Sequence, residues 1–593
     1  MSAAAPTDDA PSVLTHRFAR FNPFRGSEDE GGDEQGQAAD PEHIAGGGHV
    51  FAGRGDEQAR RQLRVSHALR AMLAQQGEIR ESDVGGGDDE TLHSSALQDI
   101  LARPQVAHPE YVTDRSHPLS EYFISSSHNT YLVAHQLYGK SSSDAYKAHL
   151  SAGARCVEID AWPSDNPMEP KVTHGMTLTD HIPFREVCRS ISQQMDKEIH
   201  EAKEHGLAPP APIFISLENH APADGQLRLA AIMREELGDK LVTEAVHGGS
   251  EATLEELGGR ILVMVEYYGD SSASGAAAAA GVSRKDNDSS DSSDDEEARA
   301  HRERKNKAKT NKIVPELAAL GVYAQSTKPS SDAWAKEEVL PPGYMPQNAL
   351  VNVEERAVLK LLKEGAGAGL ARHNGTALVR IYPKGFRISS SNLNPVPFWA
   401  CGSQVCALNM QVFDKAAGLN EAMFAATPGW VLKPPHLRRN PTPAPQGKVK
   451  LLVEIAGCTD LPVPDGREKD IKPYVTCSLY HPAIDGNEKR KTSHYRPHHH
   501  KSFFGKEQPP ATSPVWEPAE RLEWTYDARD GDFAFLRLLI KSDDAFAKNP
   551  AFLTTSVRLV SVPNGQWIFF RLLNLKGGVT PATLLARFTL SPA

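Results

Sequence analysis

Cysteine is scarce: Cys156, Cys188, Cys401, Cys406, Cys458 and Cys477 are the six in 593 residues, and none forms a CxxC pair or a zinc-ligand spacing. That excludes a disulfide scaffold and a structural zinc module, and fits a reduced intracellular chain. Long apolar runs are also missing. No stretch reaches the roughly 18 apolar residues of a membrane-spanning helix, and the opening MSAAAPTDDA has neither a basic n-region nor an apolar h-region. The expectation is a cytoplasmic protein whose contact with any membrane is peripheral. Positive charge is in deficit, with a formal net charge of -11; bulk nucleic-acid binding needs a basic face, so no nucleic-acid partner is expected. No D-x-D-x-D-G loop of the EF-hand kind occurs.

What is present is enough apolar material, 39% of the chain, for two or more domains. Residues 1–60, rich in Gly, Asp, Glu and Pro, cannot bury enough apolar surface to offset ordering entropy and are expected to be disordered. Over 61–114, VSHALRAMLAQQ and SALQDILA have helical spacing and predict a short helical lead-in. From 115 to 268, short apolar runs alternate with helical stretches: YFISSS, RCVEIDAW, PKVTHG, PIFISLENH and RILVMVEYY. Such continuous apolar strands belong to a parallel sheet covered on both faces. Residues 269–343 contain a low-complexity block, acidic and then basic, and read as a disordered linker. The alternation resumes over 344–434 with TALVRIYPKG, SQVCALNM and GWVLKP. That brings the strands to about eight, the number that closes an α/β barrel of the TIM (β/α)8 type. After a Pro-rich linker, 435–446, residues 447–593 offer only short strands between turns and predict an all-β sandwich.

In a closed parallel barrel the C-terminal ends of the strands share one mouth. SSSHNTYL ends the first strand with His128 and Asn129; CVEID offers Glu158 and Asp160, which at i and i+2 face the same side. VTHG adds His174 and ISLENH adds Glu218. Three carboxylates and an amide oxygen crowded together repel unless a cation lies among them. All-oxygen ligation is hard-cation chemistry, and calcium tolerates irregular geometry where zinc would recruit the histidines. The two histidines then suit proton transfer around a phosphate or another charged ester. Each group alone has a plainer reading: a histidine at a strand end is usually structural, and Arg155 would pair with Glu158 or Asp160. Chemistry is favoured because four strand ends in sequence all carry such groups.

SSSHNTYL, RCVEIDAW, VTHGMTL and ISLENH, followed by RIYPKGFRISSSNLNPVPFWACGSQVCALNMQ and GWVLKP, resemble in order and spacing the two catalytic halves, X and Y, of eukaryotic phosphoinositide-specific phospholipase C, in a delta-like or plant-like arrangement. The low-complexity block lies where that family keeps its linker, and the sandwich where it keeps a C2 domain. The resemblance implies Ca²⁺-dependent cleavage of phosphatidylinositol, as the 4,5-bisphosphate or less phosphorylated forms, to diacylglycerol and an inositol phosphate. The 2-hydroxyl would attack, through a cyclic phosphodiester. By the same resemblance Asn129, Glu158, Asp160 and Glu218 are calcium ligands, His128 and His174 the catalytic pair, and Glu158 or a neighbouring carboxylate the base. Arg380 and Tyr382 match residues that hold the headgroup. Leu137, Met176, Leu178 and Phe386 match an apolar ridge that dips into the membrane. The implied partner is an inositol phospholipid in a membrane, to which a monomer is recruited.

The sequence also departs from that pattern. Met264 and Glu266 stand where the family has two lysines for the 4- and 5-phosphates, and Asn352 stands near a serine of the same subsite. An anion in place of a cation near a phosphate costs on the order of a few kcal/mol, so a weakened preference for the bisphosphate is expected. In the sandwich Lys472, Ser542 and Pro550 replace aspartates of calcium-binding C2 domains while Asp544 stays, so calcium is not expected there. No PH domain is visible. A catalytically weak or silent lipid-binding scaffold, and a glycerophosphodiester hydrolase on a similar barrel, are the competing readings.

Overall fold

The computed structural model describes residues 37–38, 63–85, 94–132, 142–173, 181–248, 251–267, 312–327, 329, 331–336, 345, 348–384, 391–463, 471–496, 509–543 and 551–593. Two helices open it, α1 (His67–Gln75) and α2 (Ser95–Ala102), each started by a serine, Ser66 and Ser94, whose hydroxyl accepts a backbone N–H three residues on. Eight strands follow: β1 (Tyr122–Ser127), β2 (Cys156–Trp162), β3 (Ile213–Asn219), β4 (Ile261–Glu266), β5 (Gln325–Thr327), β6 (Ala349–Glu354), β7 (Leu378–Tyr382) and β8 (Val405–Leu408). They pair in that order, all parallel. β8 returns to β1 through Val405↔Ile124, and Ser126↔Cys156 joins β1 to β2, so the barrel closes. Helices α3 (Asp144–Ser151), α4 (Phe184–Glu204), α5 (Ala223–Leu237), α6 (Glu355–Lys363), α7 (Gly367–Asn374) and α8 (Lys415–Phe424) lie between or after these strands. On α4 the buried Phe184, Val187, Cys188, Ile191 and Met195 recur at helical spacing and pack on the outward Val157, Ile159 and Ala161 of β2.

The strand count matches the sequence pattern, but the membership does not. PKVTHG contributes only Lys171–Val172, antiparallel to β2, and GWVLKP contributes Trp430–Leu432, antiparallel to β1. Neither is a barrel stave. Their places are taken by β5, inside the stretch read as linker, and by β6. Trp430 instead plugs the lower end of the barrel: its ring meets Tyr122 at 5.9 Å and Phe214 at 6.0 Å, and its Nε1 donates to Pro212 O at 3.0 Å. Gly429 before it has φ 78°, and a Cβ there would collide with the Gly153 carbonyl. Within the segment expected to lack order, Gln37–Ala38 pairs antiparallel with Val412–Phe413.

The C-terminal part is all antiparallel: β9 (Lys448–Thr459), β10 (Pro473–His481), β11 (Ile484–Lys491), β12 (Val515–Asp527), β13 (Phe535–Ser542), β14 (Ala551–Arg558), β15 (Trp567–Asn574) and β16 (Val579–Pro592). The order is β11-β10-β13-β14-β15-β16-β9-β12, and β14 meets β15 only at Leu553↔Asn574 and Thr554↔Leu573. The sheet folds over at that narrow junction, and Val475, Leu536 and Ile540 from one layer share a core with Val453, Leu584 and Phe588 from the other. One end packs on the barrel, where Trp399 lies 5.8 Å from Phe535. The two helices of the lead-in pack on the sandwich, where Leu69, Leu73 and Leu97 share a core with Val515, Trp567, Phe569 and Leu585, while Val112 beyond them is buried with Phe123 of the barrel. Among the described residues, no helix is long and apolar enough to cross a membrane.

Candidate active site

Alternation along each strand decides what enters the barrel. With Val157 and Ile159 turned outward, Cys156, Glu158 and Asp160 point in, and the register carries this inner face around: Cys156 beside Phe214 and that beside Leu262; Glu158 beside Ser216 and that beside Met264; Asp160 beside Glu218. The lowest ring is apolar, with Leu350, Leu378 and Val405 completing it. One ring higher, Glu158 faces Arg380 across the barrel, and at the rim Asp160 and Glu218 stand side by side.

Carboxylate oxygens of Glu158, Asp160 and Glu218 lie within 4.8 Å of one another. Glu158 is buried and held at both oxygens: Oε1 accepts from Arg380 Nη2 at 2.6 Å, and Oε2 accepts the Asn129 N–H at 2.9 Å. Asn129 reaches it from a left-handed turn at φ 49°, a conformation that asparagine tolerates better than most residues. Tyr131 donates its hydroxyl to Asp160 Oδ2 at 2.7 Å and lies 3.1 Å from Asn129 Oδ1. Asp160 Oδ1 is buried with no hydrogen-bond partner among the described residues. Burial, then the charges of Glu218 and Glu158, hold the Asp160 carboxyl well above the usual carboxylate range. An oxygen set with a buried orphan atom and mutual repulsion fits a hard cation. His128 stands beside it, Nε2 at 3.8 Å from Glu158 Oε2 and Nδ1 at 2.9 Å from Asn409 Oδ1.

The sequence-predicted residues thus divide. His128, Asn129, Glu158, Asp160, Glu218 and Arg380 converge on one mouth, with the half-buried Tyr382 ring 5.9 Å from the Arg380 guanidinium. His174, Leu137, Met176, Leu178 and Phe386 lie outside the described residues. The plainer reading of the acids fails in its partner: Arg155 pairs with Glu198 at 2.8 Å, and the cation on Glu158 is Arg380. Although burial opposes its charge, the Glu158 carboxylate keeps the Arg380 guanidinium above its ordinary pKa. Asn352 accepts from Arg380 Nη1 at 3.2 Å, Met264 is buried below the rim, and Glu266 is exposed.

Sequence reasoning missed what orients His128. Asn409 N donates to Asn392 Oδ1 at 2.6 Å, and Asn392 is held by Asp414 through its N–H at 2.9 Å and its Nδ2 at 3.1 Å. Asp414 Oδ1 also caps α8, accepting from Ala417 N at 3.0 Å. The available signal was another polar strand end, LNMQ after β8. Trp162 stacking on His220 at 3.9 Å, with His220 Nε2 3.4 Å from Glu218 Oε1, was missed as well.

Residues 115–267 match the phosphatidylinositol-specific phospholipase C X domain, and residues 317–436 its Y domain. The mouse 1-phosphatidylinositol 4,5-bisphosphate phosphodiesterase delta-3 is 38% identical over 341 residues, covering 56% of this chain and 40% of the relative. The human delta-1 enzyme is 30% identical over 507 residues, 82% of this chain and 62% of the relative. The chain therefore spans about half the length of such relatives. The crystal structure of S. officinalis PLC21 superposes with a TM-score of 0.64 over 88% of this chain and 62% of that one, at 22% identity, which speaks for the fold.

Proposed function

Since the chain belongs, through its X and Y domains, to the phosphatidylinositol-specific phospholipase C family, we propose that its barrel mouth cleaves the phosphodiester of an inositol phospholipid to diacylglycerol and an inositol phosphate. The observation that carries this reading is the meeting of three carboxylates within 4.8 Å beside an oriented histidine. Asn129, Glu158, Asp160 and Glu218 would hold calcium. Bound there, it would neutralise charge on the phosphoryl oxygens and acidify the inositol 2-hydroxyl.

The chain's own groups do the rest. Glu158 takes the 2-hydroxyl proton. His128, whose Nδ1–H is engaged by Asn409, presents Nε2 to the mouth and, when protonated, donates to a phosphoryl oxygen as charge accumulates. His174 protonates the departing glycerol oxygen, and water then opens the cyclic phosphodiester with His174 acting in the reverse sense. Arg380 and Tyr382 hold the headgroup. Leu137, Met176, Leu178 and Phe386 form the ridge that enters the bilayer from the cytoplasmic side, and the protein works as a peripheral monomer. The relatives are named for the 4,5-bisphosphate. With Met264 buried and Glu266 at the rim, this chain accepts phosphatidylinositol and its monophosphate comparably well.

Purified protein on mixed lipid vesicles, with products separated with and without a calcium chelator, tests the reading. Diacylglycerol and inositol phosphate that vanish with chelation are expected. No product would mean a silent scaffold, deacylated glycerophosphate a different hydrolase, and a strong bisphosphate preference would overturn the substrate assignment alone.

A further inference from the structure

The three carboxylates at the mouth differ in how deeply they are set. Glu158 and Asp160 are buried and hydrogen-bonded inside the barrel, whereas the side chain of Glu218, near the end of β3, is 47% exposed. Burial cannot hold so exposed a side chain in one rotamer, and ordering it on ligation subtracts from affinity. What stands above it therefore matters. Strand alternation continues one pleat beyond the acids: Asp160 pairs with Glu218 across β2 and β3, and two residues further along each chain come Trp162 and His220. His220 N donates to Ala161 O at 2.9 Å, which carries the pairing past the end of β3. Asn219 Oδ1 accepts the Ala221 N–H at 3.1 Å and fixes the turn that leads into α5.

This upper pair is aromatic and packed face to face. The Trp162 and His220 rings stack with centroids 3.9 Å apart and planes 16° from parallel, and the His220 side chain is 12% exposed. A buried indole N–H usually finds an acceptor, but Trp162 Nε1 has none among the described residues. The indole is thus placed by packing, and its flat face sets the plane of the imidazole. His220 Nε2 is thereby presented to Glu218 Oε1 at 3.4 Å. Carboxylates that ligate metals are commonly held in this way by groups that do not touch the metal.

We infer that His220 is a positioning residue of the metal site: braced by Trp162, it holds the exposed Glu218 carboxylate towards Asp160 and Glu158, so that the mouth is set for a hard divalent cation before the cation arrives. This rests on the calcium reading of the mouth proposed above. It gives His220 no contact with substrate or ion and no proton to move.

Calcium titrated into the full chain without lipid, read as a rise in melting temperature, tests this apart from any turnover. Wild type is expected to give a saturable rise, and Asp160→Asn to abolish it. His220→Phe keeps a ring against Trp162 but has no nitrogen; His220→Gln keeps a nitrogen at similar reach but has no ring. If the nitrogen holds Glu218, His220→Phe needs about tenfold more calcium or more, and His220→Gln recovers part of that loss. A role in packing alone gives the reverse order. Trp162→Leu, which leaves the nitrogen but removes its brace, weakens calcium severalfold and decides the matter if His220→Phe does not fold. The proposal alone falls if His220→Phe binds calcium as wild type does, if His220→Gln is the weaker of the two, or if, with His220→Phe unfolded, Trp162→Leu matches wild type. No saturable rise in wild type, or a rise that Asp160→Asn leaves intact, would instead remove calcium from the mouth, and the reading of the whole site would fall with the proposal.

Discussion

A single amide decides how the histidine proposed to meet the phosphoryl oxygen is aimed. Asn409 touches no carboxylate of the cluster, yet it fixes which nitrogen of His128 faces the mouth. Asn409→Leu is expected to lower kcat about 10–100-fold with KM little changed, read from initial rates on vesicles. Asp160 presents the opposite balance. Asp160→Asn removes one of three crowded carboxylates, so the calcium-free protein should melt at a higher temperature than wild type, while turnover falls at least about a hundredfold. The acids of β2 were legible because i and i+2 spacing puts them on one face whatever surrounds the strand. Their cation was not. Arg155 is three residues before Glu158, about 10 Å lower along the strand, whereas Arg380 comes from the facing strand, a neighbour that only barrel closure supplies. Asn409 was equally hidden, since an uncharged amide after a strand reads as a turn residue.

The elements show why eight strands could be anticipated while two were misplaced. WVL is apolar enough to announce a strand, but direction and neighbour are set by what it packs on, here Tyr122 and Phe214 at the barrel floor. β5 is three residues long and reads QST, too short and polar for any periodicity to reveal. The floor strand runs into Lys433, whose Nζ lies 2.6 Å from Ser120 O and 2.8 Å from Asn374 O. Two carbonyls suit a neutral amine, and burial pulls the Lys433 pKa from 10.5 to about 7. The unfolded chain holds that proton up to 10.5 and the folded one gives it up near 7, so between those values stability rises with pH, and below them the cost of the buried charge is present in full. Compared with Lys433→Met, wild type should gain up to about 1.4 kcal/mol per pH unit within this window. Urea unfolding at pH 7 and pH 9 reads the difference; equal slopes would show that the lysine stays charged.

At the scale of the whole molecule, barrel and sandwich share an apolar seam in which Trp399, Phe424, Phe533 and Phe535 are buried together. Phe535→Ala should cost about 3–5 kcal/mol at that seam and split one unfolding transition into two, visible by calorimetry. A single shifted peak would mean that the sandwich is lost with the seam. The division into barrel and sandwich was readable from strand rhythm, but the seam was not, because periodicity carries no record of which faces meet. Nor does it show that α1 and α2 complete the sandwich, five hundred residues further along. A ribosome delivers those helices first and their partners, Trp567 to Leu585, last; at 5–20 residues per second the interval is on the order of a minute. During it the leucines of the lead-in have nowhere to go, so the nascent chain must be shielded from aggregation until synthesis reaches the final strands, and a stall in between would leave a finished barrel trailing a sticky, unmated leader.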